Sequence, residues 1–292
     1  MNKGYIFTEI STMGRSDYKK DKRNTGKNEK PYRKKGFSGR NTAPKKRTPA
    51  KTASDSGLTR LNKYVANSGV CSRRDADVYI AAGNVSVNGK IITEMGFKVK
   101  KGDVVKFDNR TLNPEKKEYI LLNKPKNFIT TTSDEKGRRT VMELISNATK
   151  VRLVPVGRLD RNTTGLLLFT NDGDLAKKLT HPKHGVRKIY HVELNKNLKL
   201  ADLKQVRDGL TLEDGEVQVD EVSYIANAPK KEVGIEIHSG RNRIVRRIFE
   251  HLDYEVIKLD RVTFAGLTKK DLPRGHWRPL TKQEVINLGM IK

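Results

Sequence analysis

The sequence is poor in the features that mark several common protein classes. One cysteine, Cys71, occurs in 292 residues, so no disulfide can close within the chain, and a lone thiol suits a reducing cytoplasm. Long apolar runs are also missing. Stretches such as Leu166 to Phe169 reach four or five residues, against the roughly 20 needed to span a bilayer. The first thirty residues have no apolar core followed by a small-residue cleavage site, so no secretory signal is expected. Neither a Gly-x4-Gly-Lys-Ser/Thr phosphate loop nor a Gly-x-Gly-x-x-Gly dinucleotide turn occurs. His181 and His184 have no second ligand cluster, and "NDGD" (Asn171 to Asp174) lacks the later acid of a calcium loop, so no metal is expected. Acids are scarce: 34 Asp and Glu face 60 Lys and Arg, a net charge of +26 and a pI near 10.0. This excess points to a polyanionic partner, and with no membrane span that partner is expected to be nucleic acid, met in the cytoplasm.

What is present divides the chain into three parts. Residues 1–56 hold 16 Lys/Arg against 5 Asp/Glu, and after Ile10 their apolar residues follow neither helix nor strand period. This segment is expected to be a disordered basic tail, an electrostatic arm for RNA or a solubilising one. Residues 57–114 read as a small module. Leu61, Tyr64 and Val65 mark a helix ending at Gly69, and Ser72-Arg-Arg-Asp75 is a capping box opening a second, with Val78, Tyr79 and Ala82 expected on its buried face. "VSVNGKII" turns at Asn88-Gly89 as a hairpin, followed by a strand from Asp103 to Phe107. Arg73 and Arg74 at a helix start, beside Lys90 on the hairpin, suit RNA backbone and shape rather than base edges.

Residues 117–292 form the larger part. Strands are expected at 119–123, 153–156, 166–170, 188–194, 217–219, 222–225, 233–238 and 262–264. Helices are expected at 174–179, 200–208, 242–252 and 282–288, the last opened by the capping box Thr281-Lys-Gln-Glu284. Strands outnumber helices without alternating strictly with them, so the fold class is α+β with a mixed, largely antiparallel sheet.

One acid stands out in "GRLDRNTTGLLLFTNDG" (Gly157 to Gly173). Asp160 lies on a loop between two strands, flanked by Arg158 and Arg161, which favour its anionic form. Spacing alone leaves it two roles, a reactive carboxylate or the structural partner of a nearby arginine. In "RKIYHVEL" (Arg187 to Leu194), alternation puts Lys188, Tyr190 and Val192 on one face, where Tyr190 either packs in the core or stacks on an extruded base. "SGRNRIVRRIFEHL" (Ser239 to Leu252) places Arg241 and Arg243 at a helix entry, in reach of a carboxylate or phosphate, with Arg246 and Arg247 assigned to its solvated face.

These segments together resemble a known family. "RLNKYVANSGVCSRRDADVYIAAGNVSVNGK" (Arg60 to Lys90) is similar to the RNA-binding domain named after ribosomal protein S-four. Gly157-Arg-Leu-Asp160, Thr164-Gly-Leu-Leu-Leu, Thr170-Asn-Asp-Gly173, Asn123-Lys-Pro125, Lys188-Ile-Tyr190, Gly240-Arg-Asn-Arg243 and Gly275-His-Trp-Arg278 resemble the RsuA/RluB/RluE/RluF family of ribosomal RNA pseudouridine synthases. Two positions depart from its pattern: Asn127 stands where Gly is usual, and Ile244 where Gln or Glu is frequent. The resemblance implies a cofactor-free isomerisation of uridine to pseudouridine, in 23S rather than 16S ribosomal RNA or its subunit precursor, by a monomer. It implies Asp160 as the catalytic carboxylate, Tyr190 stacked on the base and Arg241 paired with Asp160. Arg60, Lys63, Arg73, Arg74, Lys90, Lys124, Arg158, Lys188 and Arg243 are then expected to contact RNA. The alternative is an RNA-binding ribosome-assembly factor on the same scaffold without the chemistry.

Overall fold

The computed structural model describes residues 57–291. The basic tail expected at residues 1–56 lies outside them.

The first part of the described chain packs around its own core. β1 (Thr59–Arg60) enters α1 (Leu61–Asn67), and α2 (Arg73–Ala81) follows with the Ser72/Asp75 capping box closed as expected. β2 (Val85–Val87), β3 (Lys90–Ile91), β4 (Lys98–Val99), β5 (Val105–Phe107) and β6 (Arg110–Thr111) complete it. The Asn88-Gly89 turn takes positive φ at both residues, 50° and 82°. Leu61 and Val65 of α1 meet Ala76 and Ile80 of α2 over Val85, Val87 and Val105. The expected face of α2 is corrected here: Val78 is 67 % and Tyr79 39 % exposed. Ala76 and Ile80, one turn apart, lie on the stripe that faces α1, and Val78 falls between them on the opposite side.

The second part is built on one sheet. Its strands are β7 (Tyr119–Lys124), β8 (Val154–Pro155), β9 (Thr164–Thr170), β10 (Lys188–Leu194), β13 (Glu221–Tyr224), β14 (Glu232–Ile237), β15 (Val256–Phe264), β16 (Leu267–Thr268) and β17 (Trp277–Pro279), while β11 (Leu210–Leu212) and β12 (Gly215–Val217) pair as a separate hairpin. The spatial order is β13-β14-β10-β15-β9-β7-β17, with β8 on β9 and β16 on β15. Every strand pairing is antiparallel except β9 with β15. β9 is buried along its whole length because both sheet faces are covered. Leu167 and Phe169 point to the core shared with α4 (Leu200–Asp208) and α5 (Ile244–Glu250). Leu166 and Leu168 point to the core shared with α3 (Gly173–Thr180) and α6 (Lys282–Met290). Asp172 caps α3 and the Thr281/Glu284 box caps α6. α5 starts at Ile244, two residues later than the sequence pattern suggests, and β15 is far longer than the expected 262–264.

Candidate active site

The loop between β8 and β9 is fastened from three sides. Gly157 turns it at φ 75°. Lys124, fully buried at the end of β7, donates from Nζ to the carbonyls of Pro125 (3.0 Å), Asp160 (3.1 Å), Arg161 (3.3 Å) and Thr163 (2.9 Å). Burial pushes the Lys124 ammonium down to about 8. Asn127, at φ 72°, donates its amide to the Arg161 carbonyl at 2.9 Å, so asparagine supplies the left-handed turn where glycine is usual. Thr130 Oγ1 donates to the Leu159 carbonyl (2.7 Å) and accepts from the Leu159 amide (3.2 Å), while Leu159 anchors in the core. The backbone around Asp160 is therefore fixed, and its carboxylate stands 41 % exposed.

Around it lies a cavity of about 170 Å³ whose walls include Asp160, Thr163, Lys188, Tyr190, Arg241 and Arg261. β10 brings Tyr190 there, 8 % exposed, opposite Ile235 of β14 and Arg261 of β15. Asp160 and Tyr190, read from separate segments, thus share one cavity.

The arginines are arranged otherwise than expected. Arg241 does not pair with Asp160: its Nη1 lies 3.6 Å from Asp214 Oδ1 and donates to the Gly215 carbonyl at 3.3 Å. Arg243 approaches Asp160 instead, Nη1 to Oδ2 at 3.8 Å, and also reaches Glu250 at 3.4 Å. α5 begins only at Ile244, so Arg243 is its N-cap, at φ 49°, and Arg241 lies on the loop before it. Arg246 is also corrected: it is half-buried, donates to the Val256 carbonyl at 2.7 Å and feels the Asp160 charge, while burial lowers its pKa. Arg247 grips Asp214 at 2.6 Å rather than facing solvent alone. Ile244 is 5 % exposed and packs in the core, which accounts for an apolar residue at that position.

The expected RNA contacts divide into two groups. Arg60, Arg73, Arg74 and Lys90 are exposed on the first part of the chain, Arg73 donating to Asn62 at 3.3 Å. Lys63 is half-buried and pairs with Asp174 at 2.7 Å. Arg158 is exposed beside Asp160, and Arg243 is 47 % exposed. Lys124 and Lys188 face inward. Lys188 donates to the carbonyls of Val186 (3.0 Å), His238 (2.8 Å) and Ser239 (3.3 Å), and burial pushes it down to about 8. Both lysines brace loops of the cavity, and the sequence reading missed this because a lysine's charge does not show which way its stem points.

Comparison with known proteins gives the family. Residues 118–251 match the model of the RNA pseudouridylate synthase family, and residues 59–105 that of the S4 domain. The chain is 40 % identical over 234 residues to ribosomal large subunit pseudouridine synthase B of Bacillus subtilis, covering 79 % of this chain and 96 % of the relative. It is 37 % identical over 232 residues to dual-specificity RNA pseudouridine synthase RluF of Escherichia coli, covering 78 % of each chain. A crystal structure of a pseudouridylate synthase superposes with a TM-score of 0.55 at 28 % identity, covering 78 % of this chain and 99 % of the other.

Proposed function

The chain belongs to the RNA pseudouridylate synthase family, and we propose that it converts a uridine of large-subunit ribosomal RNA into pseudouridine, with Asp160 as the reacting carboxylate. The observation that carries this reading is the half-exposed Asp160 on a rigid loop at a cavity walled by Tyr190. Isomerisation detaches the base from C1′ of the ribose and reattaches it through carbon. A carboxylate serves this either by bonding to C1′ or by taking a neighbouring ribose proton to give a glycal, and neither route needs a cofactor. Arg243 and Arg246 supply positive charge beside Asp160. A uridine in a stack cannot reach the cavity, so it is flipped out, with Tyr190 available to stack on the base, at a cost of roughly a few kcal/mol.

Residues 57–114 act as the RNA-docking domain and 117–292 as the catalytic one. Arg60, Arg73, Arg74 and Lys90 contact phosphate on the first, and Arg158 and Arg243 beside the cavity. The large-subunit reading is supported by the Bacillus subtilis relative's name, and the expected cytoplasmic location goes with a ribosomal RNA substrate.

Asp160→Asn keeps the side chain's size and removes its charge. Pseudouridine mapping of ribosomal RNA from cells carrying this substitution should lose one or more modified sites, while the purified variant binds that RNA as wild type does. An unchanged map would leave the assembly-factor reading in its place.

A further inference from the structure

The cavity contains a buried cation that the sheet's own hydrogen bonds do not use up. Arg261, 3 % exposed on β15, donates from Nε to the Leu166 carbonyl at 2.8 Å, and its Cζ lies 4.4 Å from the Phe264 ring centroid. Burial lowers its pKa, and Tyr190, its strand partner on β10, favours its charged form. Its Nη2 is buried with no hydrogen-bond partner, and so is Oγ1 of Thr163, another wall residue. Buried polar atoms are almost always paired, and an unpaired donor on a cation costs more than a neutral one. The adjacent acid does not neutralise it, because Asp260 is engaged by Lys269 and by Arg274 at 3.1 Å. A desolvated positive charge with a spare N–H therefore borders the cavity that holds Asp160.

We propose that Arg261 is a catalytic residue whose Nη2 donates to a carbonyl oxygen of the target uracil and stabilises the negative charge the base carries while it is detached. The proposal rests on the pseudouridine synthase reading. The C1′–N1 bond breaks with its electron pair on the base, and Asp160 either bonds to C1′ or takes the 2′-proton, which is later returned. The free base is an anion with charge shared among O2, N1 and O4. It turns and C5 bonds to C1′, either as the C1′–O bond to Asp160 breaks and the carboxylate leaves or as C2′ takes back its proton; C5 then gives up a proton and N1 takes one, so atoms and electrons balance. A cation fixed in place beforehand needs no reorganisation when that charge develops, which is where such groups act most strongly.

The test uses the ribosomal RNA fragment containing the mapped uridine, with uridine, 2-thiouridine or 4-thiouridine at the target. Full-length wild type, Arg261→Met and Arg261→Lys are compared under single-turnover conditions at saturating RNA. Sulfur accepts hydrogen bonds poorly, so wild type should slow about tenfold on one of the two thio substrates. Arg261→Met should be about 100-fold slower than wild type on uridine, with RNA affinity retained. It should also no longer distinguish that sulfur from oxygen. An arginine that only supports the sheet would leave the sulfur penalty intact in Arg261→Met, and that result overturns the proposal. So does a wild type indifferent to both sulfurs, a result that needs no variant to fold. If circular dichroism shows Arg261→Met unfolded, Arg261→Lys is read instead: a reduced sulfur penalty supports the proposal and an unchanged one overturns it. A wild type inert on the uridine fragment would count against the pseudouridine synthase reading itself.

Discussion

At the scale of single residues, the site depends on where cations point as much as on Asp160. Lys124 donates to three carbonyls of the Asp160 turn and to that of Pro125 from inside the protein. The Arg161 and Asp160 carbonyls also accept from the Asn127 and Thr163 amides, so replacing Lys124 by Met withdraws the Nζ donor chiefly from the Pro125 and Thr163 carbonyls, and we expect a loss of about 3 kcal/mol in urea unfolding together with a fall in turnover. An unfolding free energy equal to wild type would contradict this role. Titration gives a second expectation. Lys124 and Lys188 are both pushed down to about 8 by burial, against an ordinary 10.5. Above about pH 8 they lose a proton and a donor each, so the single-turnover rate at saturating RNA should decline there. Global stability from these two groups should move the other way. Between the folded value near 8 and the unfolded value near 10.5, the unfolded chain binds more protons, so their contribution rises with pH. A rate flat from neutral to alkaline pH would remove the assigned bracing role. The sequence showed a Lys in "NKP" and another in "RKIY", but spacing carries no information on whether an ammonium meets phosphate or backbone carbonyls. Arg241 and Arg243 show the same limit, since two residues of spacing do not tell which of them meets Asp160 and which meets Asp214.

At the scale of elements, the parallel contact of β9 with β15 joins the Asp160 loop to the strand bearing Arg261. Gly165, at φ 107°, makes it possible: a Cβ there would lie 2.3 Å from the Arg261 carbonyl oxygen and 2.6 Å from its amide nitrogen. Neither atom can retreat, because the same strand is paired to β10 on its other side. Gly165→Ala should therefore cost about 3 kcal/mol or more and move Asp160 away from Tyr190, reducing turnover well beyond any loss of RNA affinity. A variant with normal melting and normal rate would show that the strands part freely. Which elements the sequence revealed follows from the range of the forces involved. The capping boxes at Ser72 and Thr281 and the alternation of Lys188–Leu194 are local, and all three appear as expected. β17 contains Trp277 and Pro279 and owes its strand form to pairing with β7, more than 150 residues earlier. Asp214 sits in the local turn of the β11–β12 hairpin, but its pairing with Arg241 and Arg247 is likewise set by tertiary packing. Asn127 lies between these cases, since its tolerance of positive φ is a residue property that the turn then uses.

At the scale of the whole molecule, charge is divided between residues 1–56 and the described part of the chain. Residues 1–56 carry 16 Lys/Arg and 5 Asp/Glu, so eleven of the net +26 charges lie outside the part that forms the cavity. Lys63 pairs with Asp174 across the two parts, but Asp174 is 74 % exposed, and such a surface pair is worth about 1 kcal/mol at most. Affinity for a long RNA then comes mainly from counterion release, to which each engaged cation adds nearly one unit of salt slope. Deleting residues 1–56 should weaken binding to ribosomal RNA and flatten the plot of log affinity against log salt in proportion to the tail cations engaged. The chemical step proposed above involves Asp160, Tyr190 and their neighbours, none of which lies in residues 1–56. At saturating RNA the truncated protein should therefore form pseudouridine at the wild-type single-turnover rate, with only the half-saturating concentration raised. A reduced rate at saturation would show that the tail acts at the cavity, and an unchanged salt slope would show that its cations do not meet the RNA.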